Sequence, residues 1–267
     1  MIRKKFISAI DPWGLSLTGV AQLAAGKKEP DSIEPEPGRL IPAYLKKGDT
    51  IGITCPGGFI SIEDIQPAVK KLKEWGYEVN IGSTVGKKDF TFAGTDEERS
   101  ADMQQMLDDQ NIKAILCARG GYGAVRIIDK IDLKKFSAFP KWIIGFSDVT
   151  VLHSHINRHF NIATIHSKMC NSFPADWSAA EPIQIETIES INDCLSGKKM
   201  EYRANPNINN RAGNTTGQLV GGNLRTLENL AGTNSDIITK NKILFVEDTG
   251  EYLYSIDRMF WNLERTG

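Results

Sequence analysis

Residues 114–150 read AILCARGGYGAVRIIDKIDLKKFSAFPKWIIGFSDVT. Ala114 to Ala118 is an apolar run short enough for a strand buried on both faces, as the strands of parallel sheets are. Arg119-Gly120-Gly121-Tyr122-Gly123 ends it, and glycines there permit a tight turn and bring backbone N–H groups close to a ligand. A helix is predicted from Ala124 to Ile131. A second apolar run, Trp142 to Gly145, passes through Gly145-Phe146-Ser147 into a helix predicted over Thr150 to Phe160. Strand, turn, helix, strand, helix is the pattern of a parallel sheet covered on both faces. Ligands bind such sheets beyond the carboxyl ends of the strands, where both of these turns fall.

The same alternation extends in both directions. Towards the N-terminus, Thr50 to Cys55 and Tyr77 to Ile81 read as strands, and Asp96 to Leu107 as a helix opened by an acidic turn. Ile62, Ile65, Val69, Leu72 and Trp75 mark one face of a helix over Ile62 to Trp75. Towards the C-terminus, residues 171–216 are polar, Asn-rich from Asn205 to Asn214, and hold one helix near Ile183 to Leu195, so they read as a connector. A second lobe starts near Gly217, with a strand at Lys242 to Val246 and a helix at Ser255 to Leu263, and the chain stops four residues later. The expectation is an α/β protein. An N-terminal lobe at 41–170 has a mostly parallel sheet flanked by helices, and a second, smaller and incomplete α/β lobe occupies 217–267.

Residues 1–40 read as a signal-like tail and linker. Arg3-Lys4-Lys5-Phe6-Ile7 followed by the mildly apolar stretch Gly14 to Ala25 resembles a twin-arginine export signal, with lysine for the second arginine. That predicts export to the periplasm, against which Asp11 and Pro12 count; without export the protein is cytoplasmic. The stretch is too short to span a bilayer. KKEPDSIEPEPGR at 27–39 cannot bury enough apolar surface to order itself.

A net charge of −1, with 40% hydrophobic and 24% charged residues, is ordinary for a soluble globular protein. Basic residues form no stripe, which argues against nucleic-acid binding. Cys55, Cys117, Cys170 and Cys194 form no CxxC pair, so zinc-type spacing is absent, and those in apolar runs read as buried hydrophobes.

Three features carry chemistry. Ser147 lies where hydrolases expose a nucleophilic hydroxyl, although Val149 stands where the second glycine of the usual elbow belongs; the same position suits a helix N-cap, the commoner role for serine. Glu247 and Asp248 end the apolar run Ile243 to Val246, where an acid that orients a histidine fits as well as a pair of solvated loop charges. Of the four histidines, His153, His155 and His159 lie on the predicted helix after Ser147 and are expected at its surface, with His155 and His159 sharing a face. His166, after Ile162 to Ile165, falls at a strand end and faces the cleft. None is an evident general base for Ser147.

Taken in order, Gly48-Asp49-Thr50-Ile51, ARGGYG at 118–123, GFSDVT at 145–150, TIH at 164–166, GGNL at 221–224, ILFVEDTGE at 243–251 and IDRM at 256–259 resemble the LD-carboxypeptidase family of serine peptidases. The resemblance implies Ser147 as nucleophile, Glu247 as triad acid, and backbone N–H groups of Gly121 and Asp148 as the oxyanion hole. Gly120, Arg119 and Asn223 follow as residues of the cleft. It also implies no metal or organic cofactor, a homodimer, and removal of terminal D-alanine from muropeptides in peptidoglycan recycling. The family's histidine lies in a Gly-His segment that these 267 residues lack, so a C-terminal truncation is expected. Two rivals remain: an immunity hydrolase of a peptide–nucleotide antibiotic and, if this length is natural, a non-catalytic peptide-binding protein.

Overall fold

The computed structural model describes residues 40–266; the signal-like stretch and the 27–39 segment lie outside the described residues. Five strands, β1 (Thr50–Thr54), β2 (Glu78–Ile81), β3 (Ile112–Cys117), β4 (Trp142–Gly145) and β5 (Ile165–His166), form one parallel sheet in the order β2-β1-β3-β4-β5. Register aligns Ile53 with Leu116, Leu116 with Ile144 and Ile144 with Ile165, so these side chains share one face. That face packs under α1 (Gln66–Glu74) and α6 (Pro182–Leu195), whose Val69, Leu72, Ile188, Ile191 and Leu195 join its core. Ile115 and Ile143 point the other way, towards α2 (Asp96–Asp108), α3 (Ala124–Ile127) and α5 (Thr150–Phe160). Helix α6, inside the stretch read as a connector, thus forms part of the sheet's outer layer.

Local chemistry explains where elements start. Thr95 caps α2 in a reciprocal capping box with Glu98. Helix α1 begins only at Gln66, not at Ile62, because Pro67 suits the first turn and disfavours helix before it. The helix expected over Ala124 to Ile131 splits into α3 and a 3₁₀ turn at Ile128–Lys130. A short helix α4 (Lys134–Ala138), absent from the sequence reading, buries Phe136.

The second sheet pairs β6 (Leu219–Asn223) with β7 (Ile243–Glu247) in parallel, joined through α7 (Leu224–Leu230) and followed by α8 (Leu253–Thr266). Helix α5 is the wall between the two sheets. Ser154 Oγ donates to Ser235 O at 2.6 Å, Arg158 donates to Asp236 O at 3.0 Å, and Thr150 Oγ1 accepts from Asn223 N at 3.0 Å. The carboxyl ends of β4 and β7 are thereby brought to one region.

Candidate active site

Strand β4 ends at Gly145, and the chain turns sharply through Ser147–Val149 into α5. Ser147 has φ +60°, a left-handed conformation that costs a non-glycine residue of order 1–3 kcal/mol and recurs at functional corners. The cap of this turn is Phe146, and no side-chain capping bond forms, so Ser147 does not serve as the N-cap. Its partly exposed hydroxyl makes no hydrogen bond among the described residues. A Cβ on Gly145 would stand 2.8 Å from a Val149 methyl. Val149 therefore occupies the space that the missing second elbow glycine would leave, and Gly145 admits it.

The glycine turn after β3 lies against this corner. A Cβ on Gly120 would come within 3.2 Å of Ser147 Cβ, so only glycine lets the turn approach the hydroxyl so closely. Gly121 has φ +96°, and its N–H, like that of Asp148, has no acceptor among the described residues. Asp148 is buried, and its carboxylate accepts from Ala124 N at 2.8 Å, tying the turn to the corner. Burial pushes its carboxyl up, partly offset by the N–H groups of Ala124 and Gly123. Arg99, fully buried, donates to the carbonyls of Pro56 and Gly123 and pairs with Asp96, bracing the turn from behind. Arg119 is exposed and donates to Phe59 O at 2.8 Å, outside the Ser147 corner's own contacts.

A second cluster gathers at the end of β7. Glu247 is only 8% exposed, and burial, reinforced by Asp248, raises its carboxyl to about 7. Asp248 caps the start of α7 through Arg225 N at 3.0 Å, so neither acid is a free loop charge. Asn223, in register with Glu247, caps α7 by accepting from Thr226 N at 3.0 Å. His166 places Nε2 3.8 Å from Glu247 Oε1. The two clusters are linked through Thr150, three residues past Ser147, which holds the Asn223 backbone.

The expectation of surface histidines on α5 fails for His153. It is 5% exposed, its Nε2 lies 2.9 Å from Gly145 O, and its ring centre is 6.2 Å from that of His166. Burial lowers His153 to about 4 and His166 to about 3, so both are neutral at ordinary pH. Sequence spacing alone carried no signal for this, because His153 is buried against Gly145 of β4 and His166 of β5. His155 is half-buried on Ser235 Oγ at 2.9 Å, and His159 is exposed with its ring 4.4 Å from that of His155. A cavity of about 1060 Å³ lies beside the second cluster, lined by Trp142, His153, His166, Phe245 and Glu247 among others; Ser147 is not on its wall. No group of three or more His, Cys, Asp or Glu side chains suited to a metal occurs among the described residues.

A parallel α/β sheet with a strained serine at a strand-to-helix corner, and a buried carboxylate supplied by a second sheet nearby, defines a serine-hydrolase architecture. The chain belongs to the LD-carboxypeptidase family: residues 51–167 match the LD-carboxypeptidase N-terminal domain and residues 216–267 the LD-carboxypeptidase C-terminal domain. It is 34% identical over 228 residues to a probable murein peptide carboxypeptidase of Bacillus subtilis, covering 85% of this chain and 70% of the relative. Among solved structures, muramoyltetrapeptide carboxypeptidase from Oxalobacter formigenes matches with TM-score 0.68 and 31% identity, covering 82% of this chain and 72% of that one. The microcin C7 self immunity protein MccF matches with TM-score 0.72 and 25% identity, over 85% and 76%.

Proposed function

We propose that this protein is a serine carboxypeptidase that removes a terminal D-amino acid, D-alanine, from murein peptides by cleaving an L,D-amide bond. The observation that carries the reading is Ser147: a hydroxyl on a left-handed corner, free of hydrogen bonds among the described residues and pressed against a glycine turn. In this reading Ser147 Oγ attacks the scissile carbonyl, and the N–H groups of Gly121 and Asp148 receive the oxyanion, each worth about 3 kcal/mol of barrier. The serine proton passes to an imidazole oriented by Glu247 and then to the departing amine, and water releases the acyl group.

Among the described residues no imidazole bonds to Ser147. His153 Nε2 is engaged by Gly145, and the sequence contains no Gly-His pair. A Ser-His-acid unit deprived of its base loses several orders of magnitude in rate, so turnover reports whether an imidazole reaches Ser147. The test appends the Gly-His segment of a relative and compares D-alanine release from a tetrapeptide with and without Ser147→Ala. Ser147→Ala should lower kcat/KM by roughly three orders of magnitude or more; equal turnover removes Ser147 from the mechanism.

The likeness to MccF supports a second reading, hydrolysis of a peptide–nucleotide conjugate. The carboxypeptidase reading is preferred because relatives of that name are the more identical in sequence. Parallel assays on both substrate types separate them. The homodimer implied by the resemblance is checked by sedimentation.

A further inference from the structure

Three side chains from three elements converge beside the cavity with buried polar atoms that no described residue satisfies. Glu247 Oε1, both ring nitrogens of His166, and His153 Nδ1 are each inaccessible and without a hydrogen-bond partner among the described residues. Buried polar groups are nearly always paired, so a cluster of orphans signals an interaction made among its members or with what they serve. The approach of 3.8 Å between His166 Nε2 and Glu247 Oε1 becomes an ordinary hydrogen bond if the side chains close by about 1 Å. The tautomers can be worked out from the neighbours. Gly145 O can only accept, so His153 carries its proton on Nε2 and presents Nδ1 as a bare acceptor. His166 then has one proton to place, and the carboxylate is the stronger acceptor within reach.

We propose that His166 is a positioning residue, donating Nε2–H to Glu247 Oε1 and fixing that carboxylate so that its other oxygen can orient the catalytic imidazole. The inference rests on the reading of Glu247 as the acid of the serine mechanism. Charge facing Glu247 comes from Asp248 and Lys168, and Asn223 and His166 with His153 behind it supply the polar neighbours. Asn223 bonds the Glu247 carboxyl as well, and His166 Nε2 is the nitrogen that stands 3.8 Å from its orphaned oxygen.

Two measurements on the chain itself test this without requiring turnover. The ¹⁵N shifts of the His166 ring in wild type should show a proton on Nε2; a proton on Nδ1 with a bare Nε2 overturns the proposal. Carbon-detected titration of the Glu247 carboxyl should move upward by about one unit in His166→Leu, leaving roughly a tenth ionised at pH 7, and stay near wild type in His166→Gln, which keeps a donor. An unchanged Glu247 titration in His166→Leu also overturns it. If His166→Leu fails to fold, the tautomer and the Glu247 titration of His166→Gln decide. Once the Gly-His segment is supplied, His166→Leu should lower kcat about tenfold with KM unchanged and move the acid limb of the pH profile up, and His166→Gln should restore both. Undiminished turnover in Ser147→Ala would sink the functional reading while leaving the His166–Glu247 bond measurable, so the two failures are distinct.

Discussion

Ser147 pays for its exposure with backbone strain, and that strain can be measured separately from chemistry. A left-handed residue costs about 1–2 kcal/mol unless it is glycine, whose extra unfolded-state freedom takes back roughly half. Ser147→Gly should therefore be more stable than Ser147→Ala by about 0.5 kcal/mol or more in urea denaturation, although both lack the hydroxyl proposed as nucleophile. Glu247 makes a prediction of opposite character. Its carboxyl sits near 7 when folded, above the ordinary value of 4.5, so the folded state holds the proton more tightly than the unfolded chain. Its penalty is absent below about 4.5, grows as pH rises towards 7, and is constant above that. Glu247→Gln should accordingly be about as stable as wild type at pH 4.5 and more stable by about 1–3 kcal/mol at pH 8, the range allowing for partial exposure of the group. Equal stability across that interval would mean that His166 and Asn223 offset the burial of the charge in full.

The elbow shows how elements, more than single residues, set the site. Gly145 and Val149 are a matched pair, one giving up the volume the other fills. Gly145→Ala should destabilise by about 1–3 kcal/mol through overpacking, and adding Val149→Ala should recover most of that in a double-mutant cycle; additive losses would refute the pairing. What the sequence disclosed about elements follows from how each is buried. Strands β3 and β4 were legible because both of their faces are covered, leaving uninterrupted apolar runs. Strand β6 escaped notice because Gly221 and Gly222 erase its pattern, and α7 escaped with it. Ser147 and Glu247 were ambiguous from their neighbours and gained weight only from the order of seven motifs. His153 was misjudged because α5 is packed on both sides, against the first sheet and the second, so no face of its inner turns is truly a surface.

At the scale of the molecule, α5 carries the second sheet, and the histidines of α5 and β5 make that attachment sensitive to acid. His153 is held neutral with its pKa near 4 and His166 near 3, while His155 at the seam is also depressed, first by burial and then by His159. A histidine depressed in the fold binds its proton better when released. Stability therefore falls as pH drops below about 6.5 and stops falling only near the folded values. Glu247 acts in the opposite sense as it gains its proton below 7, but it is one group against three. The hydrogen bonds of Ser154, His155, Arg158 and His159 all end on residues 234–236, so that loop should open first. Hydrogen exchange corrected for intrinsic rates should then be faster at pH 5 than at pH 7 in α5 and residues 231–237, with β1 and β3 unchanged. His153→Gln, which keeps a donor towards Gly145 O but cannot gain a proton, should flatten the response. Uniform acceleration across both sheets would show instead that the two lobes unfold as one cooperative unit.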